Sequence, residues 1–457
     1  MSTPIVQPPT QPGTFTRAER YAAGKALRTQ VPRSHHSQWS PGPQRADPIS
    51  LLEEANRSRL PNLVPIRYGR MSLSPFTFLR GAAGIMANDL ASTPISGIQT
   101  QICGDAHLSN FGIYATPERR LVFDVNDFDE TINGSWEWDV KRLAASTIVA
   151  GRHNGFTASE NRQITVKCVQ TYRETIRRFA TMNPLDVWYA SIDIQSLLGL
   201  LNRKEKMLRK TFMQAHQHKS LHTFPKLTNV INGQYRIKDE PPLIVHYNDP
   251  DRDVNLRMLV VEYVATLPED RRTLLSHFHL VDIAQKVVGV GSVGTRCYIA
   301  LLLNSDNDDP LFIQIKEAQA SVFEPYVGPA PYSNHAQRVV QGQRLMQAAS
   351  DIFLGWTHSE TFDFYVRQLR DMKLSADIAS MDTNDFLRYA QFCATALARA
   401  HARSGDPVLI SGYLGSRPVF DQAIASFAEA YADQTERDYT ALITAIKDGR
   451  VRAETDV

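Results

Sequence analysis

Cysteine is scarce and scattered in this sequence. The four that occur, Cys103, Cys168, Cys297 and Cys393, lie far apart with no CxxC spacing. That argues against a disulfide framework or a zinc knuckle and suits a reducing cytosol. Long apolar runs are missing as well, and none reaches the length of a membrane-spanning helix. Neither sign of charge dominates: 50 Lys and Arg stand against 48 Asp and Glu, for a net charge of +2. Composition therefore gives no electrostatic case for nucleic acid or a membrane surface. The opening stretch "MSTPIVQPPTQPGTF" has four prolines and no apolar h-region, so it reads as a disordered tail rather than a signal peptide. No internal repeat is visible. These absences predict a cytoplasmic chain with no nucleic-acid partner and no membrane partner.

What is present is ordinary in bulk and unusual in detail. Hydrophobic residues make up 43% and charged residues 21%, as in a globular protein, and 457 residues exceed what one core usually organises. Residues 1–47 read as a tail and extended arm. "DPISLLEEANRSRL" opens a helix that Asp47 or Ser50 can cap, and "SPFTFLRGAAGIMANDLA" reads as a second. "GIQTQICGD" and "RRLVFDVND" are short strands, "WEWDVKRLAASTIVAGRH" is helical, and residues 158–216 are helical with a basic face at "RKEKMLRK". After about residue 255 the pattern changes. "KVVGVGSVGTRCYIALLL" and "PLFIQIKEA" predict three strands joined by a glycine loop and a polar turn. Helices follow at "NHAQRVVQGQRLMQAASDIF" and at "TNDFLRYAQFCATALARAHA", the second capped by Thr383 or Asn384, with the extended "FDFYVRQLRD" between them.

Two acidic motifs carry the chemistry. "CGDAHLSNFG" sets Asp105, His107 and Asn110 within six residues, and "VFDVNDFDE" adds Asp124, Asp127, Asp129 and Glu130. Each could be a turn or capping residue. Asp124, however, interrupts an apolar strand, where an unpaired carboxylate is costly. A phosphotransferase needs an acidic base near the acceptor hydroxyl, an Asn for Mg²⁺ five residues on, and a further Asp on the next strand. Asp105, Asn110, Asp124 and Asp127 meet that spacing. "GVGSVG" supplies Gly289, Gly291, Ser292 and Gly294. A strand follows it rather than a helix, which fits a hairpin folding over ATP phosphates, not a dinucleotide fold. A plain glycine turn remains the alternative. Lys316, on the next strand, can reach the α- and β-phosphates. Its usual partner, a Glu on the following helix, is missing from 334–350, which leaves Gln337, Gln341, Glu317 or Glu324. Arg67, Arg70 and Arg80 precede the first motif, either as a solvated face or facing an anionic acceptor.

"GDAHLSN … FDVND … WEWDVKRLA" resembles the aminoglycoside and choline phosphotransferase branch of the protein-kinase-like superfamily. That branch has a GDxHxxN-type catalytic loop, where His107 also matches, and an IDFxD-type metal loop. The helix after it carries an aspartate that ties down the catalytic loop, and Asp139 falls there. The order is permuted: the glycine loop and Lys316 follow the acidic loops, and "ALARAHA", similar to the helix that leads into the catalytic loop of such kinases, comes last. The stretches quoted above, with "VPIRYGRMSLSPFTFLRGAAGIMANDLA" and "RVVQGQRLMQAASDIFLGW", also resemble an uncharacterised bacterial family, domain of unknown function 2252.

The resemblance implies an α+β, two-lobe, kinase-like fold, circularly permuted. Residues 48–250 would form a helical lobe and 255–370 an ATP-covering β lobe, with 371–457 completing the helical lobe. It implies ATP- and Mg²⁺-dependent phosphoryl transfer to an unidentified small molecule or protein. Asp105 and His107 would be catalytic. Gly289, Gly291, Ser292, Gly294 and Lys316 would bind nucleotide, and Asn110, Asp124 and Asp127 would hold metal. A nucleotide-binding regulator, a nucleotidyltransferase on the same fold and a metallophosphoesterase are the alternatives.

Overall fold

The computed structural model describes residues 15–201, 205–215, 224–246, 250–306, 309–369 and 376–455. The chain is of mixed α+β type. In chain order its strands are β1 (Gln99–Ile102), β2 (Phe111–Ala115), β3 (Leu121–Val125), β4 (Ile132–Ser135), β5 (Thr228–Ile231), β6 (Gln234–Ile237), β7 (Ile244–Val245), β8 (Phe278–Lys286), β9 (Cys297–Asn304), β10 (Pro310–Ala318), β11 (Gly355–His358) and β12 (Asp363–Gln368).

Six of these build one antiparallel sheet in the order β11-β12-β10-β9-β8-β7. β9 is apolar at nearly every position because both its faces are covered. Tyr298, Ala300 and Leu302 pack against Leu256, Leu259 and Tyr263 of the Pro250–Ala265 helix. The alternate residues Ile299, Leu301 and Leu303 pack with Ile237, Ile244 and Phe312. The first strand of the glycine hairpin lies earlier than the sequence pattern predicted. β8 ends at Lys286, so "VVGVGSVGTR" is loop and only "CYIALLLN" is strand.

The second body is helical and is assembled from both halves of the chain. The Trp136–His153 helix is buried on nearly every side, enclosed by the Ala158–Phe179, Thr383–Ser404 and Val419–Lys447 helices. Thr157 and Glu160 form a reciprocal capping box on the second of these. Asp382, not Thr383 or Asn384, caps the third, accepting the Asn384 and Asp385 N–H groups at 2.9 Å each. Two short pairs, β1 with β4 and β2 with β3, lie on this body at the junction with the sheet.

The N-terminal region departs from the expected arm. The tail expectation for residues 1–14 falls outside the described residues. Arg17–Gln30 is an α-helix with its own capping box, from Thr16 and Glu19. It lies so close to the Pro407–Leu414 helix that a Cβ on Gly24 would sit 2.0 Å from the Leu409 carbonyl oxygen. Asp47 caps Pro48–Asn56 as expected. The stretch expected to form one helix over 74–91 is two, Pro75–Gly81 and Ala83–Leu90, broken at Ala82. With Val64–Met71 these helices cover the glycine loop, where Leu63 and Ile66 pack on Val293.

Candidate functional site

The two acidic motifs are the two ends of one hairpin. β2 begins directly after Asn110 and β3 ends at Val125, and the Asn126 N–H donates to the Asn110 carbonyl at 2.8 Å. The 103–110 loop is pinned from below by Asp139, the residue that the resemblance assigned to this task. Its carboxylate accepts the N–H groups of Cys103 at 2.8 Å and Gly104 at 3.0 Å. His401, from the "ALARAHA" helix, approaches the same carboxylate at 3.2 Å and receives Tyr172 on its other nitrogen at 2.7 Å. Gly104 has φ +78°, and a Cβ there would meet the Glu130 carbonyl oxygen at 2.5 Å. Only glycine lets the two acidic loops approach this closely.

Asp105 faces a cleft of about 300 Å³ between the sheet and the helical body. Arg142, buried on the Trp136–His153 helix, holds its Oδ1 through Nε at 2.5 Å and through Nη2. On the other oxygen, Asn110 Nδ2 donates at 3.3 Å, and His107 Nε2 lies 3.6 Å away. Burial pushes the Asp105 carboxyl up to about 6, against the pull of Arg142 and with help from the neighbouring Asp127 charge. Burial, with the Arg142 and Arg80 charges, keeps His107 neutral. Asp127 and Asp129 line the same cleft, and Asp127 accepts the Asp129 N–H at 3.2 Å. Glu130 is pushed up to about 7 by burial, although the Val322 N–H donates to it at 2.8 Å.

Gly289, Gly291 and Ser292 of the glycine loop also line the cleft, whereas Lys316 does not line it and reaches it only through Asp129. The partner of Lys316 is none of those expected. It is Asp129, 187 residues earlier in the chain, joined to the ammonium by a short ion pair. Tyr365 on β12 donates to Asp129 Oδ1 at 2.8 Å, and Ser292 Oγ lies 3.3 Å from Oδ2. Lys316 is 2% exposed. Burial works against its charge, but Asp129 outweighs that and holds the ammonium pKa well up, while Lys316 keeps the buried Asp129 carboxyl low. Glu317 is instead engaged by Arg296, at 3.1 Å.

Three placements were not foreseen from the sequence. Asp124 is fully buried away from the cleft, where both carboxylate oxygens accept Arg399 Nη2 at 2.8 Å and the Ala348 N–H donates at 3.0 Å. Its apolar strand carries one half of a buried ion pair. Gly294 does not line the cleft. Its carbonyl accepts the Leu60 N–H at 2.7 Å, and a Cβ there would press on the Arg59 side chain. The His335–Met346 helix, which lacks a Glu, contributes Arg338. That guanidinium, buried in the junction, donates to the carbonyls of Asp129 at 2.8 Å, Gln319 at 2.7 Å and Thr131 at 2.5 Å.

Arg142 and Arg338 are the residues that motif reading missed as parts of this site, and to Asp129, named within the second acidic motif, it gave no role.

Among the described residues no group of three or more His, Cys, Asp or Glu is arranged to hold a metal. A hard dication that keeps several waters and shares its coordination with substrate phosphates needs only one or two carboxylates. Asp127, with Asn110 beside it, fits that requirement, whereas a closed zinc or di-metal hydrolase centre does not fit.

Fold and site together define a mixed α+β chain with an acidic cleft between an antiparallel sheet and a helical body. The family described as an uncharacterized protein conserved in bacteria, DUF2252, matches residues 59–445, and the chain belongs to it. No curated protein and no solved structure matches the chain. Among the described residues no helix is long and apolar enough to cross a membrane.

Proposed function

We propose that this chain is an ATP- and Mg²⁺-dependent phosphotransferase with a circularly permuted, two-lobe kinase-like architecture. One observation carries the proposal. Lys316, on the strand after the glycine hairpin, meets Asp129 of the loop after β3, and Asp129 lines the cleft together with Asp105, Asn110 and Asp127. Kinase chemistry asks for this set of groups at one place, and here it comes from segments whose order in the chain is reversed.

In this reading Asp105 receives the proton of an acceptor hydroxyl. The hydroxyl oxygen bonds to the γ-phosphorus of ATP, the bond from that phosphorus to the β,γ-bridging oxygen breaks, and ADP departs. Arg142 and Asn110 fix the carboxylate that takes the proton. Gly289, Gly291 and Ser292 cover the phosphates. Lys316 exchanges Asp129 for phosphate oxygens as nucleotide enters. Asp127 and Asn110 would hold Mg²⁺, which supplies charge neutralisation at the phosphates.

The test is thermal stability with ATP, with and without Mg²⁺, in wild type and Lys316→Ala. Wild type should gain several degrees at millimolar ATP with Mg²⁺, and the variant should lose most of that gain. No gain in wild type sinks the proposal. A second reading, a nucleotide-binding regulator without catalysis, is favoured by Arg338 standing on the helix where a Glu was expected. ATP binding without any ATP consumption, in the presence of cell extract as acceptor pool, would select it.

A further inference from the structure

The wall of the cleft facing Asp105 is built by the helices of residues 48–81, and it carries cations. Arg67, Arg80 and Arg59 all line it. Their situations differ. Arg67 is 2% exposed and already donates to Asn56 Oδ1 and to the Gly81 carbonyl, both at 2.7 Å, so it holds helices together. Arg59 donates to the Val293 carbonyl at 2.6 Å and so braces the glycine loop. Arg80 has neither role. Among the described residues no carboxylate forms an ion pair with it, and its Nε is buried without a hydrogen-bond partner. It stands close enough to Asp105 for their charges to act on one another, and close enough to His107 to disfavour its protonation.

A half-buried guanidinium with a buried, unmet N–H donor is costly to maintain unless something accepts its hydrogen bonds. Among the described residues none of the cleft's acids forms an ion pair with Arg80. Arg142 holds Asp105, Lys316 holds Asp129, Arg296 holds Glu317, and Asp127 and Glu130 lie with the loop after β3. We infer that Arg80 is the anchor of an anion subsite beside Asp105, and that the acceptor therefore carries a phosphate or carboxylate group next to its reacting hydroxyl. The planar fork of arginine matches either group through two parallel N–H donors. The acceptor half of this inference rests on the phosphotransferase reading; the anion subsite does not. A cationic acceptor is disfavoured by the same residue.

The test is calorimetric titration of inorganic phosphate into the full chain, nucleotide-free and loaded with Mg²⁺ and a non-hydrolysable ATP analogue. Wild type should bind phosphate in both states. Arg80→Gln should weaken that binding about tenfold or more while analogue affinity stays within about twofold. Lys316→Ala should lose analogue affinity and keep phosphate binding in the nucleotide-free chain. Circular dichroism checks that each variant is folded. Should Gln disturb the fold, Arg80→Lys keeps the charge without the fork and should weaken phosphate roughly threefold or more. Acetate as a second titrant separates the two anion classes. Tighter phosphate assigns a phosphomonoester acceptor, and tighter acetate a carboxylate one. Phosphate that binds wild type and the Arg80 variants equally, or not at all, overturns the subsite. So does an Arg80→Gln loss of analogue affinity as large as its loss of phosphate, because Arg80 would then serve the nucleotide. Arg80-dependent phosphate binding in a wild type that binds no nucleotide upholds the subsite and removes the phosphotransferase reading alone.

Discussion

Asp124 and Asp127 are three residues apart in one acidic motif, yet their surroundings predict opposite responses to the same substitution. Asp124→Asn leaves the Arg399 guanidinium charged and 1% exposed, with the Met346 carbonyl at 2.6 Å as its remaining strong acceptor. Removing one partner of a buried ion pair costs about 3–5 kcal/mol, because the other charge stays uncompensated. Against a total stability of roughly 5–15 kcal/mol, that is a large fraction. Asp127→Asn removes a charge at the cleft edge whose carboxylate accepts the Asp129 N–H, a bond that an amide oxygen can keep. Its cost should stay within roughly 1 kcal/mol. Urea unfolding followed by circular dichroism should therefore show a much lower midpoint for Asp124→Asn and a near-native one for Asp127→Asn. Mg²⁺-dependent ATP affinity should show the reverse order of damage when both are assayed folded. The paired variant Asp124→Leu with Arg399→Met should recover most of the stability, since apolar groups of similar volume replace both charges. Wild-type urea resistance in Asp124→Asn, together with a greater loss of Mg²⁺-dependent affinity than in Asp127→Asn, would refute the assignment and return Asp124 to the metal.

Arg338→Met should lower the urea midpoint by the equivalent of about 3 kcal/mol or more, because three carbonyls, one of them fully buried, lose a charged donor; a near-native midpoint would show that the helix does not depend on those bonds. His246 bridges Asp239 at 2.9 Å and Asp282 at 3.0 Å, and the hydrogen bond to Asp282, with that to Asp239, raises its pKa against partial burial. A raised folded-state pKa means the stabilisation is fully present below about 6.5 and fades as pH climbs through the folded value. The melting-temperature gap between wild type and His246→Ala should accordingly be widest near pH 5.5 and narrow above pH 8, and a gap that widens with pH would contradict the pairing.

Local chemistry was readable from the sequence wherever neighbours in the chain are neighbours in space. Asn110 and the second acidic loop are brought together by the short β2–β3 hairpin, and the resemblance, rather than any helix pattern, pointed to Asp139 under the 103–110 loop. The partners of buried charges were not readable, because they arrive from far along the chain. Asp124 was recognised as a carboxylate too costly to leave alone in an apolar strand. The premise was sound, but its partner lies 275 residues away on a helix whose pattern advertises only an apolar face. Lys316 presented the same difficulty. Its missing helical Glu was visible, while its replacement by Asp129 required knowing that the sheet and the helical body close over one another. Residues 15–47 looked like an arm because proline and polar residues are frequent there. The Thr16–Glu19 capping box and Gly24, which lets two helices touch, outweighed that composition.

The division of the helical body between distant parts of the chain has a kinetic consequence. The apolar face of Ala158–Phe179 is completed by Thr383–Ser404, as at Cys168, whose thiol donates to the Ala390 carbonyl 222 residues later. On a ribosome adding ~5–20 residues per second, that face emerges about 10–45 s before the surface that covers it. The sheet of β8–β12 is made during that interval and can fold from contacts close in sequence, while the first half of the helical body waits with its core open. Nascent chains of this protein should therefore expose an aggregation-prone apolar surface that closes only after the sheet is built, and demand on chaperones should be concentrated in that window.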